Sequence, residues 1–200
     1  MSRDQLFAQF PEAIAGLTSY AEWLATAGVE RGLIGPRETD RIWDRHIANC
    51  AAMAELVPAQ ARVIDIGSGA GLPGLVLAIV RPDVHVTLIE PLQRRCDFLN
   101  EVIADLQIGE RVDVMRGRAQ DVPAKKADVV TARAVAPLNK LLSWALPLVA
   151  PGGQVLAMKG SSAPTEIEEA AKVLKNRTAE IVLCGQGLVD PLTTVVRVSS

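Results

Sequence analysis

The sequence predicts an α/β protein: a doubly wound sheet, mostly parallel, with an antiparallel hairpin at its C-terminal end and helices ahead of it. Three observations carry that expectation. From Arg62 onward, short apolar runs alternate with helix-like stretches, the texture of parallel strands joined by right-handed crossovers. The first of these runs leads straight into Gly67, Gly69 and Gly71, and clustered glycines there mark a turn from strand to helix. The last two runs, Ile181–Cys184 and Thr193–Val198, have Gly185, Gly187 and Pro191 between them and no room for a helix. They are expected to pair as a hairpin at the sheet edge.

Residues 11–57 read as helical. Ile14, Leu17, Ala21, Leu24 and Ala25 recur at helical spacing as far as Gly28. Gly32-Leu33-Ile34-Gly35-Pro36 interrupts the pattern, and a second helix is expected from Arg37 to Leu56, closed by Pro58. Ile42, Trp43, Ile47, Cys50 and Met53 fall on or near one of its faces. Strands are then expected at Arg62–Ile66, Val84–Ile89, Val112–Met115, Asp128–Ala132 and Gln154–Met158, short and apolar as when both faces are covered. Between them the helical stretches are Leu72–Val80, Leu92–Leu106, Leu138–Leu148 and Thr165–Leu174. The expected organisation is one domain over 1–200, with a helical extension at 1–60 and a Rossmann-like core at 61–200.

Composition narrows the function. The 200 residues are 49% hydrophobic and 22% charged, enough for a sizeable core. A formal charge of −2 argues against coating nucleic acid non-specifically, though a local basic patch is compatible with it. Cys50, Cys96 and Cys184 have no C-x-x-C spacing and only two histidines are present, so no metal site is expected. Scattered thiols fit a reducing compartment. With no signal-like start and no apolar run near the length of a membrane span, the expectation is a cytoplasmic protein without a membrane partner.

The stretch Arg62-Val63-Ile64-Asp65-Ile66-Gly67-Ser68-Gly69-Ala70-Gly71-Leu72-Pro73-Gly74 is the candidate cofactor site. Pro73 suits a first helical turn, and the N–H groups after it are expected to be unpaired and to face a polar or anionic ligand. A dinucleotide fingerprint places its third glycine where Leu72 stands, and the G-K-[ST] of a P-loop is absent. Glu90, at the end of the second strand, stands where a carboxylate accepts both hydroxyls of a cofactor ribose. Asp65 lies just before the turn, where it repels a pyrophosphate but favours a cation. S-adenosylmethionine, a sulfonium without phosphate, therefore fits better than a dinucleotide. A turn that merely packs a helix against a strand is the bland alternative.

Val63 to Gly74, ending in Gly71-Leu72-Pro73-Gly74, resembles the motif of the bacterial 16S ribosomal RNA guanine-N7 methyltransferases, the RsmG family (glucose-inhibited division protein B). Asp44-Arg45-His46-Ile47, Thr131-Ala132-Arg133-Ala134 and Ala157-Met158-Lys159-Gly160 agree with it in order. The resemblance spans nearly the whole chain. It implies a class I S-adenosylmethionine-dependent methyltransferase whose acceptor is guanine N7 of 16S ribosomal RNA, within the small subunit or an assembly intermediate. It further implies cofactor contacts by Gly67 and Leu72, beside the Asp65, Gly69, Gly71 and Glu90 already read as cofactor-binding from the turn itself, an adenine border at Ala119 and Gln120, and Arg133 at the mouth shared by cofactor and substrate. Gln120 replaces an acid common in the family; its amide carbonyl still accepts from an adenine amino group. The Y-N-L-T run common in the family is replaced by Gly32-Leu33-Ile34-Gly35. Another RNA, protein or small molecule as acceptor, or a non-catalytic cofactor-binding protein, are the alternatives on the same fold.

The chemistry agrees without the resemblance. Methylation of a ring carbon needs a cysteine nucleophile, and exocyclic amines are commonly met by an [ND]-P-P-[YF] turn. Thr131–Pro137 contains neither. Guanine N7 carries a lone pair and no proton, so it needs positioning and a donor rather than a base. Arg133 is the candidate catalytic residue, either for the O6/N7 edge of guanine or for the cofactor carboxylate, with a surface ion pair as the bland reading. Arg41, Arg45, His46 and Lys159 are the candidate substrate contacts. Arg37, Arg41 and Arg45 share a face at i, i+4 spacing on a regular helix and can meet phosphates, unless Glu38 and Asp44 simply neutralise them.

Overall fold

The computed structural model describes residues 3–122 and 126–199. Its seven strands form one sheet of order β3-β2-β1-β4-β5-β7-β6. β1 (Arg62–Ile66), β2 (His85–Glu90), β3 (Val112–Arg116), β4 (Ala127–Arg133) and β5 (Val149–Lys159) run parallel. β6 (Thr178–Cys184) and β7 (Thr193–Ser199) form the expected hairpin, with β7 antiparallel to β5 and β6 at the edge. Six short apolar runs thus became strands within a few residues of their expected ends. β5 begins five residues earlier than its apolar run, where a register shift between Ala127 and Val129 bends the ladder.

Strand alternation sends side chains to two cores. Val63, Val86, Leu88, Val129 and Leu156 face one cluster, shared with the N-terminal helices, α4 (Gly74–Val80) and α5 (Gln93–Asp105). Ile64, Ile66, Ile89, Val130 and Val155 face the other, covered by α6 (Leu138–Ala145), α7 (Ala163–Glu169) and α8 (Ala171–Leu174). Asp65, between Ile64 and Ile66, consequently points to the α4 side. The 165–174 stretch is two helices, parted at Ala170.

The N-terminal part, α1 (Arg3–Gln9), α2 (Ile14–Trp23) and a helical run from Pro36 to Leu56, lies over the α4 side of the sheet. Leu17, Tyr20 and Leu24 are fully buried there, each worth about 1.5–3 kcal/mol of apolar burial. Arg81, at the end of α4, donates to the carbonyls of Ala54, Val57 and Pro58 at 3.1, 2.6 and 3.0 Å, pinning the segment that leads into β1.

The second N-terminal helix departs from the expected regular form. It is a 3-10 turn at Pro36–Arg41, a π turn at Ile42–Ala48, α3 (Asn49–Ala52) and a 3-10 turn at Met53–Leu56. The wide π turn buries three consecutive residues, His46, Ile47 and Ala48, where a regular amphipathic helix would expose one of them. Such turns recur at functional sites. The i, i+4 basic stripe is therefore not realised.

Candidate active site

The C-terminal ends of β1, β2 and β4 meet at the glycine turn. After β1 the chain bends so sharply that Gly67, Gly69 and Gly71 adopt φ of +66°, +59° and +99°, values that cost a side-chain-bearing residue dearly. The turn is tied down from three directions. Gly67 N–H and Ser68 N–H donate to Ile89 carbonyl at 2.8 and 3.1 Å. Ser68 Oγ donates to the Asp65 carbonyl at 3.0 Å. From α2, the buried Tyr20 hydroxyl donates to the Ala70 carbonyl at 2.7 Å.

The three glycines are not equivalent. A Cβ on Gly71 would lie 2.4 Å from Leu75 Cδ1, inside the core, and one on Gly67 would lie 2.9 Å from Val135. Gly69 alone of the three has an open Cβ direction, with nothing nearer than 3.8 Å. Gly69 therefore leaves room for a ligand, while Gly71 makes room for α4; a side chain at Gly71 injures the fold before it reaches a ligand. Leu72 is likewise a core residue. Gly74 also permits close approach, since a Cβ there would sit 2.4 Å from Leu88 and 2.7 Å from Asp65 Oδ2.

The two acids divide the work differently from the sequence expectation. Asp65 is fully buried and its Oδ2 accepts from Gly74 N–H at 3.0 Å, while Oδ1 has no partner among the described residues. The start of α4 is thus capped from beneath by a carboxylate, and its first amide is not the open anion site expected of it. Burial pushes the Asp65 carboxyl up to about 7, with the Gly74 N–H pulling the other way. Glu90, also buried, accepts from Gly69 N–H and Leu92 N–H at 3.0 Å each, with Arg95 Nη1 3.7 Å away. Each Glu90 oxygen retains an acceptor lone pair. Gly117 N–H donates to the Glu90 carbonyl at 3.1 Å and so brings in the loop carrying Ala119, which is buried, and Gln120, which is exposed.

Arg133 ends β4 and is followed by Ala134 at φ +55°, a left-handed conformation stored beside a candidate site. Its guanidinium does not make a surface ion pair. It donates to Nδ1 of His46 and, at 3.3 Å, to Sγ of Cys50, both from the N-terminal helical run. No carboxylate pairs with it among the described residues. Burial, with Arg133 adding to it, lowers His46 to about 4 against the pull of Glu38; burial raises the Cys50 thiol. Both partners are therefore neutral at pH 7, and Arg133 makes no ion pair among the described residues, though its charge reaches the buried Asp65 carboxyl and pulls it down.

The remaining candidates differ. Arg45 pairs with Glu38 Oε1 at 3.0 Å, which is the neutralised arrangement, and Arg41 is exposed. Lys159 stands at the expected end of β5, yet it donates to Glu166 Oε2 at 2.6 Å and to the Ala136 carbonyl at 2.8 Å. Against burial, Lys159, Ser162 and Leu138 N–H hold Glu166 below its ordinary range. Lys159 is thus a strut in the wall of a cavity of about 510 Å³, lined also by Ala134, Val135, Pro137 and Glu169, rather than a bare cation for a phosphate. Sequence reasoning gave Tyr20 no role at the turn and weighed Glu38 only as a neutralising charge; the chain's single tyrosine, at helical spacing with Leu17 and Leu24, was the one available hint. All three cysteines are free and buried. Among the described residues no cluster of His, Cys, Asp or Glu is arranged to hold a metal ion, and no helix is long and apolar enough to cross a membrane.

A parallel sheet reversed only at β7, a glycine turn after β1 and an acid ending β2 define a class I methyltransferase. The model of the GidB family, rRNA small subunit methyltransferase G, matches residues 13–187, and the chain belongs to that family. A protein named ribosomal RNA small subunit methyltransferase G from Thermobifida fusca is 57% identical over 194 residues, covering 95% of this chain and 81% of its own. One of the same name from Streptomyces avermitilis is 52% identical, covering 94% and 81%. Among solved structures, Pyrococcus horikoshii TYW2 in complex with MeSAdo aligns with a TM-score of 0.61 at 20% identity, over 77% of this chain and 62% of that one. The tRNA (m1A58) methyltransferase TrmI from Aquifex aeolicus aligns at 0.58 and 14%, over 76% and 68%. These two share the fold.

Proposed function

We propose that this protein transfers a methyl group from S-adenosylmethionine to N7 of a guanine in 16S ribosomal RNA, in the cytoplasm, on the small subunit or an assembly intermediate. The observation that carries this reading is the family match over residues 13–187, whose relatives are named for ribosomal RNA small subunit methylation.

The residues present fit the cofactor. The open Cβ direction of Gly69, the spare lone pairs of Glu90 beside it and the unpartnered Oδ1 of Asp65 beneath make an acidic surround suited to hydroxyls and cationic groups. Glu90 and the Gly67–Gly69 backbone would hold the ribose side, and Ala119 and Gln120 would border the adenine. Once bound, S-adenosylmethionine supplies an activated methyl that needs no covalent relay. The side chains at Leu72 and Asp65 and the missing one at Gly71 also fix the turn against α4.

Arg133 supplies the rest. A guanidinium with no ion-pair partner at the end of β4 suits either the paired O6/N7 acceptors of guanine or a ligand carboxylate, and its fixed donors lower the cost of alignment. N7 needs no general base, which agrees with a site whose His46 is neutral and already engaged. Arg41 and Arg45 lie on the surface leading to it and would meet phosphates at the rim, with Arg45 exchanging Glu38 for them. Mass analysis of 16S RNA from cells lacking the protein tests the proposal. One 7-methylguanosine should disappear; an unchanged methylation pattern contradicts it.

A further inference from the structure

The structure assigns a positioning role to Glu38: through His46 it fixes the direction of the Arg133 guanidinium. This rests on the reading of Arg133 given above and extends it to a residue outside the sheet.

The geometry dictates the chemistry. A guanidinium has five donors, no acceptor and no accessible deprotonated form. Its contact with Nδ1 of His46 therefore requires a lone pair on that nitrogen. A neutral imidazole has one donor and one acceptor, so the proton resides on Nε2. Nε2 lies 3.0 Å from Glu38 Oε2, a carboxylate that can only accept. The order of donation is Arg133 to His46 to Glu38, and each link demands the next. The second Glu38 oxygen is held by Arg45 Nη1 at 3.0 Å, which keeps the carboxylate from turning away.

Without Glu38 only the Arg133 contact itself favours this tautomer, and Nε2–H loses its acceptor. The proton can move to Nδ1, where it opposes the Arg133 N–H, and the guanidinium loses one of its two side-chain anchors. Cys50 Sγ, at 3.3 Å, remains, but a thiol sulfur is a weak acceptor. His46 carries most of the burden of aim and Glu38 sets its direction. A carboxylate orienting an imidazole that in turn serves a functional group is a recurrent device around reaction centres. Here it runs from a 3-10 turn of the N-terminal run to the end of β4 and so makes that run part of the site.

The chain has two histidines, His46 and His85, so 15N-histidine spectra resolve them with one substitution, His85→Asn. In the wild-type sequence at pH 7, His46 is expected neutral with its proton on Nε2. A protonated ring, or a proton on Nδ1, overturns the inference with no change at Glu38 and no activity assay. Glu38→Ala should give mixed tautomers and a fall in single-turnover methyl transfer of about 10²-fold, the scale of a small misplacement near the chemistry. Glu38→Gln, whose amide carbonyl still accepts from Nε2–H, should recover the tautomer and most of the rate. Equal losses in Glu38→Ala and Glu38→Gln, or an unshifted tautomer in Glu38→Ala, overturn it. If the wild-type protein methylates no RNA, the functional reading fails, and the tautomer spectra still decide the role of Glu38.

Discussion

The two halves of the site are built by opposite means. On the glycine-turn side, β1, β2 and the turns after them supply most of the frame within the stretch Asp65–Leu92, through backbone N–H groups that donate to a carbonyl or to buried carboxylates: Gly67 and Ser68 to Ile89, Gly69 and Leu92 to Glu90, Gly74 to Asp65. On the Arg133 side, side chains separated by 83 and 87 residues, Arg133 to Cys50 and to His46, converge from different layers. The first half is rigid because glycine conformations and buried acids over-determine it. The second is aimed by a chain of side-chain hydrogen bonds, and a single rotamer change can redirect it. On the proposed reading, cofactor binding rests on the fold itself, whereas the aim of Arg133 rests on how the N-terminal run docks onto the sheet.

Substitutions break the halves differently. Arg133→Ala should have the largest effect on function, about 10²–10³-fold in methyl transfer for loss of a fixed donor, with little change in denaturant midpoint because both of its partners are neutral. A normal rate removes Arg133 from the site. Gly74→Ala attacks the other half through the fold. Its Cβ would sit 2.4 Å from Leu88 and 2.7 Å from Asp65, so a loss of about 3 kcal/mol in urea unfolding is expected, the upper range for overpacking. A stability near wild type would mean that α4 can move away from β1 at little cost.

The pH dependence separates the acids. Asp65 titrates near 7 when folded against an ordinary 3.8, so the folded state holds more protons between these values and stability falls as pH rises through that window. Asp65→Asn keeps an acceptor for Gly74 N–H and should flatten this slope; urea midpoints at pH 5 and pH 8 measure it. Persistence of the full slope in Asp65→Asn assigns it to another group. The smallest effect is expected from Ala134→Gly. Relief of roughly 1–2 kcal/mol of left-handed strain outweighs roughly 0.4–1 kcal/mol of added unfolded-state entropy. A slight rise in thermal midpoint is the expected outcome, and a fall means that Ala134 makes contacts worth more than the strain.

The same contrast explains what the sequence disclosed. The strands from Arg62 onward, the hairpin and the turn are local signals: apolar runs, alternation, and glycines that positive φ requires. Asp65 and Glu90 are legible as acids beside the turn, yet the role of Asp65 depends on which face of β1 it occupies, and alternation against Ile64 and Ile66 could have told that it points toward α4. Lys159 was placed at the right strand end, but its charge is cancelled by Glu166, seven residues later on another element. The π turn at Ile42–Ala48 has no local signature, so the basic stripe drawn on a regular helix failed there. The links from Glu38 to His46 to Arg133 and from Tyr20 to Ala70 depend on tertiary docking, which periodicity in a single chain does not encode.

Methyl transfer in vitro tests the central claim most directly. Small subunits from cells lacking this protein are incubated with wild-type or Arg133→Ala protein and labelled S-adenosylmethionine, and the RNA is digested to nucleosides. The account predicts label in 7-methylguanosine of 16S RNA with the wild-type protein and at least about a hundredfold less with the variant. Label in another nucleoside, or none in RNA while calorimetry reports cofactor binding, contradicts it.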